Sequence, residues 1–156
     1  MRLIASPANA LYDEPVSIRL TEFPAGTKVV LRASADDDLG RRWSSHAEFF
    51  TDANGAVDPT LQAPVAGSYR VADAMGLLWS MTLDSTIKER SPFIKTSCDP
   101  VTVKLGAEID GRRVASAELS RKFAADGVVR RDINDHGLVA AMFHHEDGAR
   151  PGIIIV

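Results

Sequence analysis

Apolar and polar residues alternate one by one along much of this chain, and a two-residue period suits a strand with one face buried. The clearest run sets Val101, Val103, Leu105, Ala107 and Ile109 against Thr102, Lys104, Gly106, Glu108 and Asp110. The first set is expected to face a core and the second water. Val16, Ile18 and Leu20 alternate with Ser17 and Arg19, and Val29, Leu31 and Ala33 with Val30, Arg32 and Ser34. No segment sustains helical periodicity over three turns.

Turn chemistry separates these runs. Asp110-Gly111 lies between two alternating segments, and such a pair suits the positive φ angles of a type I′ hairpin. Asn54-Gly55 reads similarly after a strand over 43–50, and Asp126-Gly127 divides 114–123 from 128–133. Asn134-Asp135-His136-Gly137 breaks the chain before 138–143, so the stretch from 101 to 143 predicts an antiparallel meander. Pro24-Ala25-Gly26 and Asp36-Asp37-Asp38 mark loops. The run Met75-Gly76-Leu77-Leu78-Trp79 is apolar on consecutive positions and reads as a short buried strand, a turn or a single helical turn. Strands at this spacing predict an all-β fold, an immunoglobulin-like antiparallel β-sandwich of about seven or eight strands. The Cys…Trp…Cys pattern of antibody domains is absent from the sequence.

The 156 residues suit one domain, and 45% apolar with 25% charged residues is ordinary globular composition. Eighteen basic against 21 acidic residues give a net charge of -3, which offers no basic field for nucleic acid. Cys98 is the only cysteine, which excludes an intramolecular disulfide and a multi-thiolate metal site and suits a reducing compartment. Met1–Pro7 lacks the apolar stretch of a signal peptide, and Ile153-Ile154-Ile155-Val156 is far too short to span a bilayer. The expectation is a cytoplasmic protein with no membrane or nucleic-acid partner.

Three polar constellations invite chemistry, and each has a plainer reading. In Ser44-Ser45-His46, strand alternation turns Ser45 and His46 to opposite faces. Ser44 and His46 share a face, but an orienting carboxylate must come from elsewhere. In His144-His145-Glu146-Asp147, His144 aligns with Glu146 while His145 faces away, too few ligands for a tight zinc site, so a polar connector is expected. Asp36-Asp37-Asp38 lacks the glycine and glutamate of a calcium loop, so a solvated hairpin tip is expected. No catalytic, cofactor-binding or metal-binding residue is assigned, and no cofactor is implied. Met75–Trp79 reads mainly as core, with part of it available to a partner surface; full burial of Leu77, Leu78 and Trp79 would remove the second idea.

Several stretches, in order and spacing, resemble one family. They are Asp13-Glu14-Pro15-Val16-Ser17-Ile18-Arg19, Val30-Leu31-Arg32-Ala33-Ser34 and Trp43-Ser44-Ser45-His46-Ala47-Glu48-Phe49. Gly55-Ala56-Val57-Asp58, Gly67-Ser68-Tyr69 and Met75-Gly76-Leu77-Leu78-Trp79-Ser80-Met81 follow. Together they resemble the amino-terminal region shared by acyl-CoA thioesterases and bile-acid-CoA:amino-acid N-acyltransferases, most closely over 8–85. The resemblance implies a β-sandwich followed by an α/β-hydrolase domain that carries a serine or cysteine nucleophile with aspartate and histidine partners. Arg150-Pro151-Gly152-Ile153-Ile154-Ile155-Val156 resembles the start of that domain's first core strand.

The expected organisation is therefore a sandwich accessory domain over 1–147, with 148–156 a linker and first-strand remnant. A Gly-x-Ser-x-Gly or Gly-x-Cys-x-Gly elbow is absent from the sequence: Gly67-Ser68-Tyr69 has the wrong spacing, and Cys98 has no glycine on either side. The family's catalytic residues have no positions here. A non-catalytic domain of an acyl-CoA-processing enzyme is expected, with the hydrolase domain as partner and a homodimer through the apolar tail as a further association. The alternative is a stand-alone immunoglobulin-like binding or interaction module, since such sandwiches host many functions.

Overall fold

The computed structural model describes residues 1–85 and 91–147. The strands are β1 (Arg2–Ser6), β2 (Asn9–Leu11), β3 (Ser17–Thr21), β4 (Lys28–Asp36), β5 (Arg42–Phe50) and β6 (Ala66–Gly67). One helical turn, α1 (Gly76–Trp79), precedes β7 (Thr82–Leu83), β8 (Val101–Ile109), β9 (Arg112–Lys122), β10 (Val128–Asp135) and β11 (Leu138–His145). The fold is an all-β sandwich. A seven-stranded sheet runs β2-β9-β8-β4-β5-β6, with β7 also paired to β5, and a β1–β3 ribbon forms a smaller sheet. The layers are therefore unequal.

The alternation read from the sequence is the burial pattern of the large sheet. Val29, Leu31, Ala33 and Ala35 of β4 are buried, as are Val101, Val103, Leu105 and Ala107 of β8. They share one core cluster with Leu3, Ile18 and Leu20 of the ribbon and Phe49 of β5. At roughly 25 cal/mol per Å² of apolar area, this shared cluster is what holds two sheets together without a disulfide. The hairpin between β8 and β9 turns on Asp110 and Gly111, at φ of 50° and 75°, as the type I′ pair demands.

Three findings depart from the sequence reading. β2 pairs parallel with β9, Asn9 opposite Ser120, so the sheet is not wholly antiparallel. The meander stops at β9. β10 pairs only with β11, register Val128 opposite His145 to Asp135 opposite Leu138, as a separate two-stranded sheet. On that hairpin Leu138, Val139, Met142 and Phe143 are exposed, so its alternation does not sort apolar residues onto a buried face. Finally, the tip at Asp36-Asp37-Asp38 is not solvated throughout, although Asp36 and Asp38 are exposed. Asp37 is buried, and its carboxylate accepts the backbone N–H groups of Leu39 and Arg41, both at 3.0 Å. It also accepts Arg41 Nε at 2.8 Å, the Trp43 indole N–H at 3.3 Å and the Ile94 N–H at 3.4 Å. Fixed donors from its own hairpin and from the distant Ile94 outweigh solvation at this position.

Candidate functional site

The inner end of the large sheet is roofed by segment 69–81, and between them lies a cleft of about 490 Å³. Its floor is sheet: Ala35 of β4, Trp43 of β5, Val101 and Val103 of β8, and Arg121 of β9. Met75, Leu78 and Trp79 close it from α1 and its approach, and Phe93 forms a side wall.

The roof is held by polar contacts at each end. The Asp73 carboxylate accepts the Met75 N–H at 2.7 Å and the Trp79 indole N–H at 2.9 Å. Ser45 Oγ, on the inner face of β5, donates to the Leu77 carbonyl at 2.5 Å. Gly76 sits so close to Tyr69 that a Cβ there would lie 2.2 Å from its ring, so the turn needs glycine. Of the three readings open for Met75–Trp79, the structure takes the helical turn. Leu77 is 1% exposed and Leu78 half-buried, whereas Trp79 is 59% exposed. The run is core on one side and free surface on the other.

The side wall depends on the aspartates. Asp37 binds the Ile94 N–H, and Asp38 accepts Lys95 Nζ at 2.9 Å together with the N–H groups of Thr96 at 2.6 Å and Ser97 at 2.9 Å. This clamp fixes Phe93 against Trp43, ring centroids 5.6 Å apart. Burial pushes the Asp37 carboxyl upward, but the hydrogen bonds of Arg41, Trp43 and Ile94 outweigh it and hold the group well below the usual carboxylate range. Lys95 first, then the Thr96 and Ser97 amides, do the same for Asp38.

Arg121 is the unusual member of the cleft. It is 2% exposed on the core face of β9, two residues after the buried Leu119. Nη2 donates to the carbonyls of Tyr12 at 2.7 Å and Glu14 at 2.8 Å, while Nη1 has no hydrogen-bond partner. Burial draws the guanidinium pKa down from its ordinary value, against the pull of Tyr12, Glu14 and Asp13. Tyr69 Oη and Ser80 Oγ are also buried without partners, and burial, then the Asp73 charge, pushes the Tyr69 phenol up to about 12.

The residues weighed for chemistry do not assemble. Ser44 Oγ bonds Asp84 rather than an imidazole, Ser45 turns inward, and His46 is exposed on the outer face. His144 and His145 pair with Val129 and Val128 at the end of the hairpin, and His144 Nδ1 lies 3.0 Å from the His145 carbonyl. Among the described residues, no group of three or more His, Cys, Asp or Glu is placed to hold a metal ion. Arg121 escaped the sequence reading, although its signal was present: the alternation of Ala115, Ala117 and Leu119 carries on to it.

An all-β sandwich with an apolar cleft under one helical turn is the class of domain that fold and site define. Residues 13–135 match the family described as acyl-CoA thioester hydrolase/BAAT N-terminal region, and the chain belongs to that family. It is 32% identical over 154 residues to rat mitochondrial acyl-coenzyme A thioesterase 2, covering 94% of this chain and 33% of that protein. Mouse peroxisomal succinyl-coenzyme A thioesterase is 33% identical over 153 residues, 93% of this chain and 35% of its own length. Human bile acid-CoA:amino acid N-acyltransferase is 28% identical over 163 residues, 99% of this chain and 39% of its own. The chain thus spans little more than a third of the length of these relatives. Among the described residues, no helix is long and apolar enough to cross a membrane.

Proposed function

We propose that this chain is the non-catalytic amino-terminal domain of an acyl-CoA-processing enzyme, whose reaction is hydrolysis of the thioester or acyl transfer to an amino acid. The observation that carries this reading is the family match over 13–135, in relatives roughly three times as long. In such an enzyme a separate α/β-hydrolase domain supplies the nucleophile that forms the acyl-enzyme and the donors that stabilise its tetrahedral intermediate. The sandwich serves as its support, with the exposed side of Trp79 available to it. The purified chain is expected to turn over palmitoyl-CoA no faster than buffer; robust hydrolysis, followed as release of free thiol, overturns the assignment.

The setting that goes with this reading is acyl-CoA and fatty-acid metabolism in the cytoplasm, supported by the single cysteine, Cys98. Two relatives carry mitochondrial or peroxisomal in their names, so imaging of a tagged chain is the direct check. Residues 152–156, read from the sequence as a remnant core strand, lie outside the described residues, as does the rest of the 148–156 linker. A β-branched apolar run such as Ile153-Ile154-Ile155-Val156 offers edge-to-edge pairing with another copy. The chain is therefore expected to sediment as a dimer or larger species, and deletion of 152–156 to return it to a monomer. A monomer unaffected by the deletion removes this association.

A further inference from the structure

The cleft beneath α1 holds a charge that makes no direct ion pair among the described residues, with Asp13 and Glu14 acting on it only through space. An arginine stays protonated inside proteins, so burial leaves Arg121 as a cation and not as a neutral base. Its guanidinium is nearly sealed from solvent, two backbone carbonyls satisfy Nη2, and Nη1 is buried without a hydrogen-bond partner. A buried cation whose direct hydrogen bonds go to carbonyl dipoles alone is costly compared with one that meets an anion. Around it, Trp43, Met75, Leu78, Trp79, Phe93 and Val103 present an apolar wall. The cleft volume of about 490 Å³ falls within the range of small-molecule sites.

We propose that this cleft binds an alkyl monocarboxylate, with the carboxylate on Arg121 Nη1 and the hydrocarbon chain between the sheet floor and the Met75–Trp79 roof. The argument rests on the cleft and its arginine, and it does not depend on the enzyme family. Two features of the ligand follow. A single negative charge is needed, because one guanidinium edge is free. A chain of several methylenes is needed, because the lining offers hardly any other polar side chain and each buried methylene contributes about 0.8 kcal/mol. Nη1 is shielded in the empty cleft, so the carboxylate reaches it by displacing a roof side chain. Leu78, half-buried and apolar, is the one to yield, since Met75 Sδ accepts the Val16 N–H at 3.3 Å and the Trp79 indole is bonded to Asp73.

Both tryptophans of the chain, Trp43 and Trp79, line the cleft, so intrinsic fluorescence reports directly on its filling. Octanoate titrated into the 156-residue chain is expected to give a saturable change. Octanol, with the same chain length and no charge, is expected to bind about tenfold more weakly or worse, the factor typical of a hydrogen bond to a charged group. Butanoate, with the charge but little chain, is also expected to bind more weakly than octanoate. Arg121→Gln is expected to erase the preference for octanoate over octanol. If that variant does not fold, the octanoate-to-octanol ratio on the unmodified chain decides, and Trp79→Ala, at an exposed roof position, supplies a folded comparison with weakened octanoate binding. Equal affinity for octanoate and octanol, equal affinity for butanoate, or no saturable change overturns the proposal.

Discussion

Replacing Asp37 by alanine is expected to destabilise the domain by about 3 kcal/mol, because it removes the buried acceptor shared by an ion pair and several N–H donors. Arg41 Nη2 lies 2.6 Å from the carboxylate, whose side chain has no exposed surface. The same carboxylate also serves the Leu39, Arg41 and Ile94 amides and the Trp43 indole, so one substitution strands donors on two segments at once. Urea unfolding measures the loss; a change within about 0.5 kcal/mol, the range of an ordinary surface substitution, contradicts it. The pH dependence carries the same signature. The carboxyls of Asp37 and Asp38 are held below their unfolded range of about 4, so their contribution is complete above that pH. It drains as pH falls from about 4 toward the folded values, where protonation breaks the bonds. The unmodified domain is expected to weaken steeply over that acid interval, and the alanine variant less steeply.

Gly55→Ala is expected to cost about 3 kcal/mol or more, from left-handed backbone strain and overpacking together. Gly55 has φ of +71°, and a Cβ there would lie 1.8 Å from the Phe23 carbonyl oxygen, an atom with no side-chain freedom to yield. The contact matters because Phe23 N–H donates to Gly55 O at 3.1 Å, while the neighbouring Val57 bridges to Leu20 across the core. Forcing the turn outward loosens both. Gly111→Ala is the control: its φ is +75° but nothing lies within 4 Å of the added carbon. There only the strain of about 1–2 kcal/mol remains. Equal thermal shifts for the two variants contradict the steric argument.

The large sheet was legible because its strands are long enough for a two-residue period to declare itself. β4, β5 and β8 each run nine residues, and β4 and β5 share the burial pattern that alternation predicts. β2 has three residues and β6 and β7 two each, too few to establish any period. The acidic triplet shows a different limit. Three consecutive aspartates look like a hydrated loop, and nothing local reveals that Ile94, Lys95, Thr96 and Ser97 will supply donors to it. The cleft is illegible for the same reason, since its walls come from β4, β5, β8, β9, α1 and the loop at Phe93. Arg121 alone was within reach. A guanidinium at a core position of an otherwise regular strand is a local inconsistency, and such inconsistencies mark where structure answers to something besides stability.

The parallel pairing of β2 with β9 sets the timetable of the fold. Asn9–Leu11 leave the ribosome long before their partners Ser120–Lys122 are made. During synthesis at roughly 5–20 residues per second, β2 therefore waits for seconds with its pairing groups unmet. Pairings this distant in sequence also close slowly once the chain is free. Holdase chaperones that shield the waiting β2 segment should consequently raise the yield of folded protein more than those acting after release.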